Sequence, residues 1–209
     1  MYFLDSDVVK KTAQYDLFNE LVDSYESETH NFYVLPELKF QLHLKNKDKS
    51  VKKLGSEGAF AALSTFLDSA CEVDSIPTGT ANEILTLNQT DLDIGEQTLL
   101  AAVSSSDEGK MISGDKRAFI SISKIDHLSS IDDLWPYLIC FENALQKIVL
   151  SQKPFESISQ KIRNHPDADS SIKISFGVSF PADIDSVMQA LESYINDLVS
   201  KTSGKYLKS

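Results

Sequence analysis

Tyr2-Phe3-Leu4-Asp5-Ser6-Asp7-Val8-Val9 opens the chain with three apolar residues halted by an acid. Apolar residues then recur at Val9, Ala13, Leu17, Leu21 and Tyr25, with Phe18 and Val22 beside them. That four-residue spacing describes one helix face. A short buried strand feeding directly into an amphipathic helix is the opening of a β-α unit, so the expected fold class is α/β, with a parallel central sheet flanked by helices. Phe32-Tyr33-Val34-Leu35 repeats the apolar run and is closed by Pro36-Glu37, where proline suits the first turn of a helix. Lys110-Met111-Ile112-Ser113 resembles a further buried strand, ending at Gly114-Asp115.

Between these strands the pattern is partly ambiguous. Leu38, Phe40, Leu42 and Leu44 alternate with polar residues, which is strand period, although Leu35, Leu38 and Leu42 also fit helix spacing. Ser56 is a candidate N-cap for a helix over 57–71, and Pro77 to Thr80 reads as a loop. Asp91-Leu92-Asp93-Ile94-Gly95-Glu96 leads into Leu99, Leu100, Ala102 and Val103, a helix whose acids gather at its N-terminal end, where the helix dipole favours them. Residues 1–125 form the expected core. Residues 126–209 form an α-rich extension packed on it: a helical region over 134–150 restarted by Pro136, a polar link through His165 to Asp169, a strand at Ile172 to Phe176, and a last helix carrying Ile184, Val187, Leu191, Ile195 and Leu198. A frayed tail is expected from Lys201.

Composition removes several function classes. With 209 residues, 42% apolar and 24% charged, the chain is globular in make-up. No apolar run approaches the ~18–20 residues of a membrane span. Asp5 and Asp7 interrupt the first apolar residues and no basic leader precedes them, so a cytoplasmic location is expected. Cys71 and Cys140 lack any paired spacing, and His30, His43, His127 and His165 are scattered, which gives no support to zinc or histidine-based catalysis. There is no P-loop, no dinucleotide fingerprint and no nucleophile elbow. A net charge of −11 disfavours general attraction to a polyanion, but Lys45 to Lys53 holds five lysines and one acid, a local charge of +4. The plain alternative for that run is a solvated loop between helices.

The remaining signal is where acids fall. Asp5 closes the first strand, Glu37 follows the second, Glu96 opens a helix, and Asp115 closes the strand at 110–113. In parallel α/β sheets these ends share one edge, where ligands bind. Carboxylates gathered there repel one another unless a cation neutralises them, and an all-oxygen set calls for a hard divalent ion, Mg²⁺ or Mn²⁺.

Four segments, Phe3-Leu-Asp5-Ser6-Asp7-Val8-Val9, Val34-Leu-Pro-Glu37-Leu38, Asp93-Ile-Gly-Glu96-Gln-Thr-Leu-Leu-Ala-Ala and Met111-Ile-Ser-Gly-Asp115-Lys-Arg-Ala-Phe, resemble in content and order the motifs of PIN-domain nucleases. The resemblance covers residues 1 to about 125. It implies a Rossmann-like PIN fold, a helix rather than a strand after Pro36, and one or two Mg²⁺ or Mn²⁺ ions held by Asp5, Glu37, Glu96 and Asp115, with Asp7 and Asp93 in reserve. The activity it implies is hydrolysis of phosphodiesters, usually in RNA. Asp7 stands where the family more often has Asn, and the long C-terminal extension departs from its compact toxin-type members. Lys49, Lys52, Lys53, Lys116 and Arg117 are the candidates for gripping the backbone of RNA or another single-stranded nucleic acid. The rival expectation is a PIN-like binding or regulatory module, weak or inactive as a catalyst, whose C-terminal helices meet a protein partner or a second copy.

Overall fold

A computed structural model describes residues 1–74, 80–87, 89, 91–125 and 128–206. Five strands, β1 (Tyr2–Leu4), β2 (Phe32–Val34), β3 (Cys71–Glu72), β4 (Lys110–Ser113) and β5 (Leu138–Cys140), form one parallel sheet in the order β3-β2-β1-β4-β5. The helices are α1 (Ser6–Tyr15), α2 (Phe18–Ser24), α3 (Leu38–Gln41), α4 (Lys47–Leu54), α5 (Glu57–Leu67), α6 (Thr80–Leu85) and α7 (Ile94–Ser104). They continue with α8 (Lys116–Ser123), α9 (Ser129–Asp132), α10 (Phe141–Val149), α11 (Phe155–Arg163), α12 (Ser170–Ser175) and α13 (Ile184–Lys201). The turn expected at Pro77, and His127, lie outside the described residues.

The two faces of the sheet can be read from single strands, because successive side chains point to opposite sides. Leu4, Ile112 and Ile139 join one apolar cluster with α1, α2, α5 and α10, whereas Phe3, Met111 and Leu138 join the other with α7, α8 and α9. The α/β class with helices on both faces is therefore present. No helix among the described residues is long and apolar enough to cross a membrane.

Several expectations fail locally. The apolar face read as one helix from Val9 to Tyr25 is broken at Asp16, which takes a left-handed conformation (φ 52°) and ends α1; a short polar side chain tolerates that conformation best after glycine. The strand read at Ile172 to Phe176 is helix α12, capped by Asp169, whose carboxylate accepts from the Ser171 and Ile172 N–H groups. Ile172 and Phe176 are buried one turn apart while Ile174 is 62% exposed, so only the i, i+4 pair of the alternating residues was informative. The stretch after Pro36 behaves likewise. Leu38 and Leu42 are buried, Phe40 is 69% exposed, and α3 replaces the strand that alternation suggested, as the resemblance implied.

Residues 134–150 are not one helix. A 3-10 turn at Trp135–Tyr137 leads into β5, and only then does α10 begin. The sheet's fifth strand thus comes from the stretch set apart as an extension. The helix at 57–71 stops at Leu67, and Cys71–Glu72 is a strand. The tail is not frayed through its described length, since Thr202 and Tyr206 are fully buried. The Lys45 to Lys53 run is largely helix α4, capped by Asn46, rather than a loop.

Candidate functional site

Strand order places the site. Successive strands are laid outward on one side of β1 (β2, β3) and then on the other (β4, β5), so the order reverses between β1 and β4. Flanking crossovers diverge at such a point and leave a crevice at the strands' C-terminal ends. A cavity of about 550 Å³ lies there, bounded by Asp5 and Asp7 at the start of α1, Asp93 and Glu96 at the start of α7, and Asp115 and Arg117 at the start of α8.

Asp5 follows β1 directly. Its N–H donates to the Ile112 carbonyl (3.0 Å), extending the β1–β4 pairing by one bond, and its Oδ2 accepts from the Ser113 hydroxyl (3.1 Å). The same hydroxyl oxygen accepts from the Asp115 N–H (3.1 Å). Ser113, fully buried at the end of β4, therefore ties together the two acids that close the central strands. Nothing in its apolar surroundings singled it out in the sequence. Its signal is only that it is the polar last residue of a buried strand.

Asp93 and Glu96 form a reciprocal cap. The Glu96 N–H donates to Asp93 Oδ1 (2.8 Å) and the Asp93 N–H donates to Glu96 Oε2 (2.9 Å), satisfying two otherwise unpaired donors of α7. Asp115 caps α8 by accepting the Arg117 N–H (2.8 Å). Both its oxygens also meet the Arg117 guanidinium, Nε at 3.1 Å and Nη2 at 2.6 Å. Asp7 pairs with Lys11 (2.7 Å), which reaches on to Asp169 at the same distance. A side chain at Gly114 would collide with the Asp7 carboxylate, so glycine there leaves room for it.

The electrostatics are lopsided: among the described residues five carboxylates and a single basic side chain line the cavity. Burial, with smaller contributions from Asp93, Asp115 and Asp5, pushes the Glu96 carboxyl up to about 8, despite the hydrogen bond from the Asp93 backbone. Burial also raises Asp5, aided by the charges of Asp7 and Asp93 and opposed by the Ser113 hydrogen bond. Asp115 goes the other way. Burial would raise it, but the hydrogen bonds and charge of Arg117 outweigh that and hold it below the usual carboxylate range.

Of the acids singled out in the sequence, Asp5, Glu96, Asp115 and the reserve pair Asp7 and Asp93 meet in this cavity. Glu37 does not line it. It is exposed at the head of α3, one turn before Gln41, which does line it. Among the described residues no three Asp, Glu, His or Cys side chains stand grouped as metal ligands. The basic candidates divide. Arg117 lines the cavity. Lys116 instead pairs with buried Glu142 (2.5 Å) and lies over the Tyr194 ring, and Lys49, Lys52 and Lys53 sit exposed on α4, outside the cavity lining. In comparison with known proteins, no family model, no curated protein and no solved structure matches this chain.

Proposed function

We propose that the chain is a PIN-like, Mg²⁺- or Mn²⁺-dependent ribonuclease, acting at the cavity between the ends of β1 and β4. The observation that carries the reading is the convergence of Asp5, Glu96 and Asp115 at the reversal of strand order, with Glu96 buried, Asp5 half-buried and both raised in pKa. A hard cation with oxygen ligands would take the place of the proton that burial and like charge keep on such a carboxyl group. Asp5, Glu96 and Asp115 offer the oxygen donors such an ion takes, Asp115 once Arg117 releases it, and they would have to draw together around the ion, since among the described residues no three acids stand grouped as ligands. When bound, a divalent ion supplies a water of lowered pKa and neutralises charge on the phosphate.

The chain's own residues do the rest. Ser113 ties the Asp5 carboxylate to the main chain at Asp115, the Asp93–Glu96 cap fixes the head of α7, and Arg117 offers a planar pair of donors to a phosphate oxygen pair. The lysines of α4 supply sequence-independent attraction to a nucleic-acid backbone. One observation favours the rival reading of a regulatory module: Asp115 is already satisfied by Arg117. Incubating mixed RNA with Mn²⁺ separates the two. Cleavage by wild type that is lost in chelator and falls at least ~100-fold in Asp5→Asn supports the nuclease. RNA left intact under the same conditions supports the module.

A further inference from the structure

Among the described residues Arg117 is the only basic side chain lining the acidic cavity, and its guanidinium occupies both oxygens of Asp115. That side chain is 77% exposed, so the pair is held at the cavity mouth in contact with water. An exposed ion pair is weak and exchanges readily. A guanidinium matches a phosphodiester as well as it matches a carboxylate, through the same two parallel hydrogen bonds. A divalent ion, in contrast, competes with Arg117 for the very oxygens it would need on Asp115.

We infer that Arg117 is an internal cation that blocks the ion position on Asp115, and that a nucleic-acid phosphate, by drawing the guanidinium away, opens Asp115 to the divalent ion. The inference rests on the nuclease reading of the site. It makes metal and nucleic acid bind with positive cooperativity, and because coupling is reciprocal each tightens the other by the same factor. Such a device keeps the ion weakly held until substrate arrives. The α8 cap does not depend on it, since the Arg117 main-chain N–H that Asp115 accepts is present with any side chain at 117.

The test is Mn²⁺ affinity, read as free Mn²⁺ by electron paramagnetic resonance, with and without a short single-stranded 2′-O-methyl RNA. Wild type should bind Mn²⁺ weakly alone and at least ~5-fold more tightly with the RNA present. Arg117→Gln should bind Mn²⁺ tightly without RNA and gain little from it. Lys124→Gln, which removes a charge from the end of the same helix but not from Asp115, should behave as wild type. Equal Mn²⁺ affinity in wild type and Arg117→Gln, with no gain from RNA, overturns the blocking role while leaving the metal site standing. Tightening by Lys124→Gln equal to that by Arg117→Gln also overturns it, because general charge would then be the cause. Absence of Mn²⁺ binding in every protein overturns the nuclease reading together with this inference.

Discussion

Glu96 is where the chemistry of the site meets the stability of the protein. Its carboxyl titrates at about 8 in the folded chain, against an ordinary value of 4.5. Between those values the folded state holds a proton that the unfolded chain has released, so this group's contribution to stability declines as pH rises through that range and is fully lost above it. Glu96→Gln should remove the decline without removing the cap, because Gln serves the same position in a capping box. Melted near pH 5 the two proteins should agree; near pH 9 the variant should melt several degrees higher. A Glu96→Gln curve parallel to wild type across that range would mean Glu96 ionises normally.

At this scale sequence position was a good guide to strand-end acids and a poor one to their partners. Asp5 and Asp115 were legible because an acid directly after apolar residues demands compensation. Glu37 follows the second strand too, but a Pro-Glu pair opening a helix needs no chemistry to explain it. The difference is that the chain turns into α3 immediately after Pro36, leaving Glu37 exposed and bringing Gln41 to the cavity instead. Ser113 and Arg117's hold on Asp115 depend on contacts between segments more than a hundred residues apart or on a rotamer, and neither leaves a pattern.

Among the elements, the lesson concerns alternating apolar residues. Leu38-Phe40-Leu42 and Ile172-Ile174-Phe176 both read as strands, and in both the outer pair is buried one helical turn apart while the middle residue faces solvent. Period two contains period four, so short runs cannot separate the two, and the caps decide. Asp169 is such a cap. β5 was missed for the opposite reason: Leu138-Ile139-Cys140 is three residues long and continuous with the apolar face of α10.

The end of β5 is held by the C-terminal segment. The Cys140 N–H donates to the Tyr206 hydroxyl oxygen (2.8 Å), and that hydroxyl donates to Asn143 Oδ1 (2.6 Å) at the head of α10. Tyr206 also stacks on Phe119 of α8. Tyr206→Phe keeps the stacking and leaves a buried N–H unpaired, a cost of about 1–3 kcal/mol. The expected result in urea is a lower unfolding midpoint with an unchanged slope; an unchanged midpoint would show the Tyr206 hydroxyl to contribute nothing to stability.

Across the whole molecule, the two apolar clusters do not respect the boundary at residue 125. Leu4 and Val9 share one with Phe141, Leu145 and Leu191, and Phe3 and Met111 share the other with Trp135, Ile195 and Tyr206. Helix α13 contributes Val187 and Leu191 to the first and Ile195 and Leu198 to the second, so it joins both layers beside the β5 end of the sheet. The α/β class and the meeting of Asp5, Glu96 and Asp115 at one cavity were legible because both follow from strand-helix order. The integration of the C-terminal region was not, because it depends on which layer each half of α13 enters.

Melting of wild type and Asp5→Asn, each in chelator and in Mn²⁺, tests most directly whether these acids form a cation site. Asp5 is the acid to change, because Arg117 already compensates Asp115, and Asn can still accept the Ser113 hydroxyl. In chelator the variant should melt at or above wild type, since one of several like charges lining the cavity is gone. In Mn²⁺ the order should reverse, with wild type rising by ~5–10 °C at an ion concentration about a hundredfold above its dissociation constant. Asp5→Asn should rise little. A wild-type curve unmoved by Mn²⁺, or an Asp5→Asn shift of equal size in both conditions, would contradict a metal site at the ends of β1 and β4.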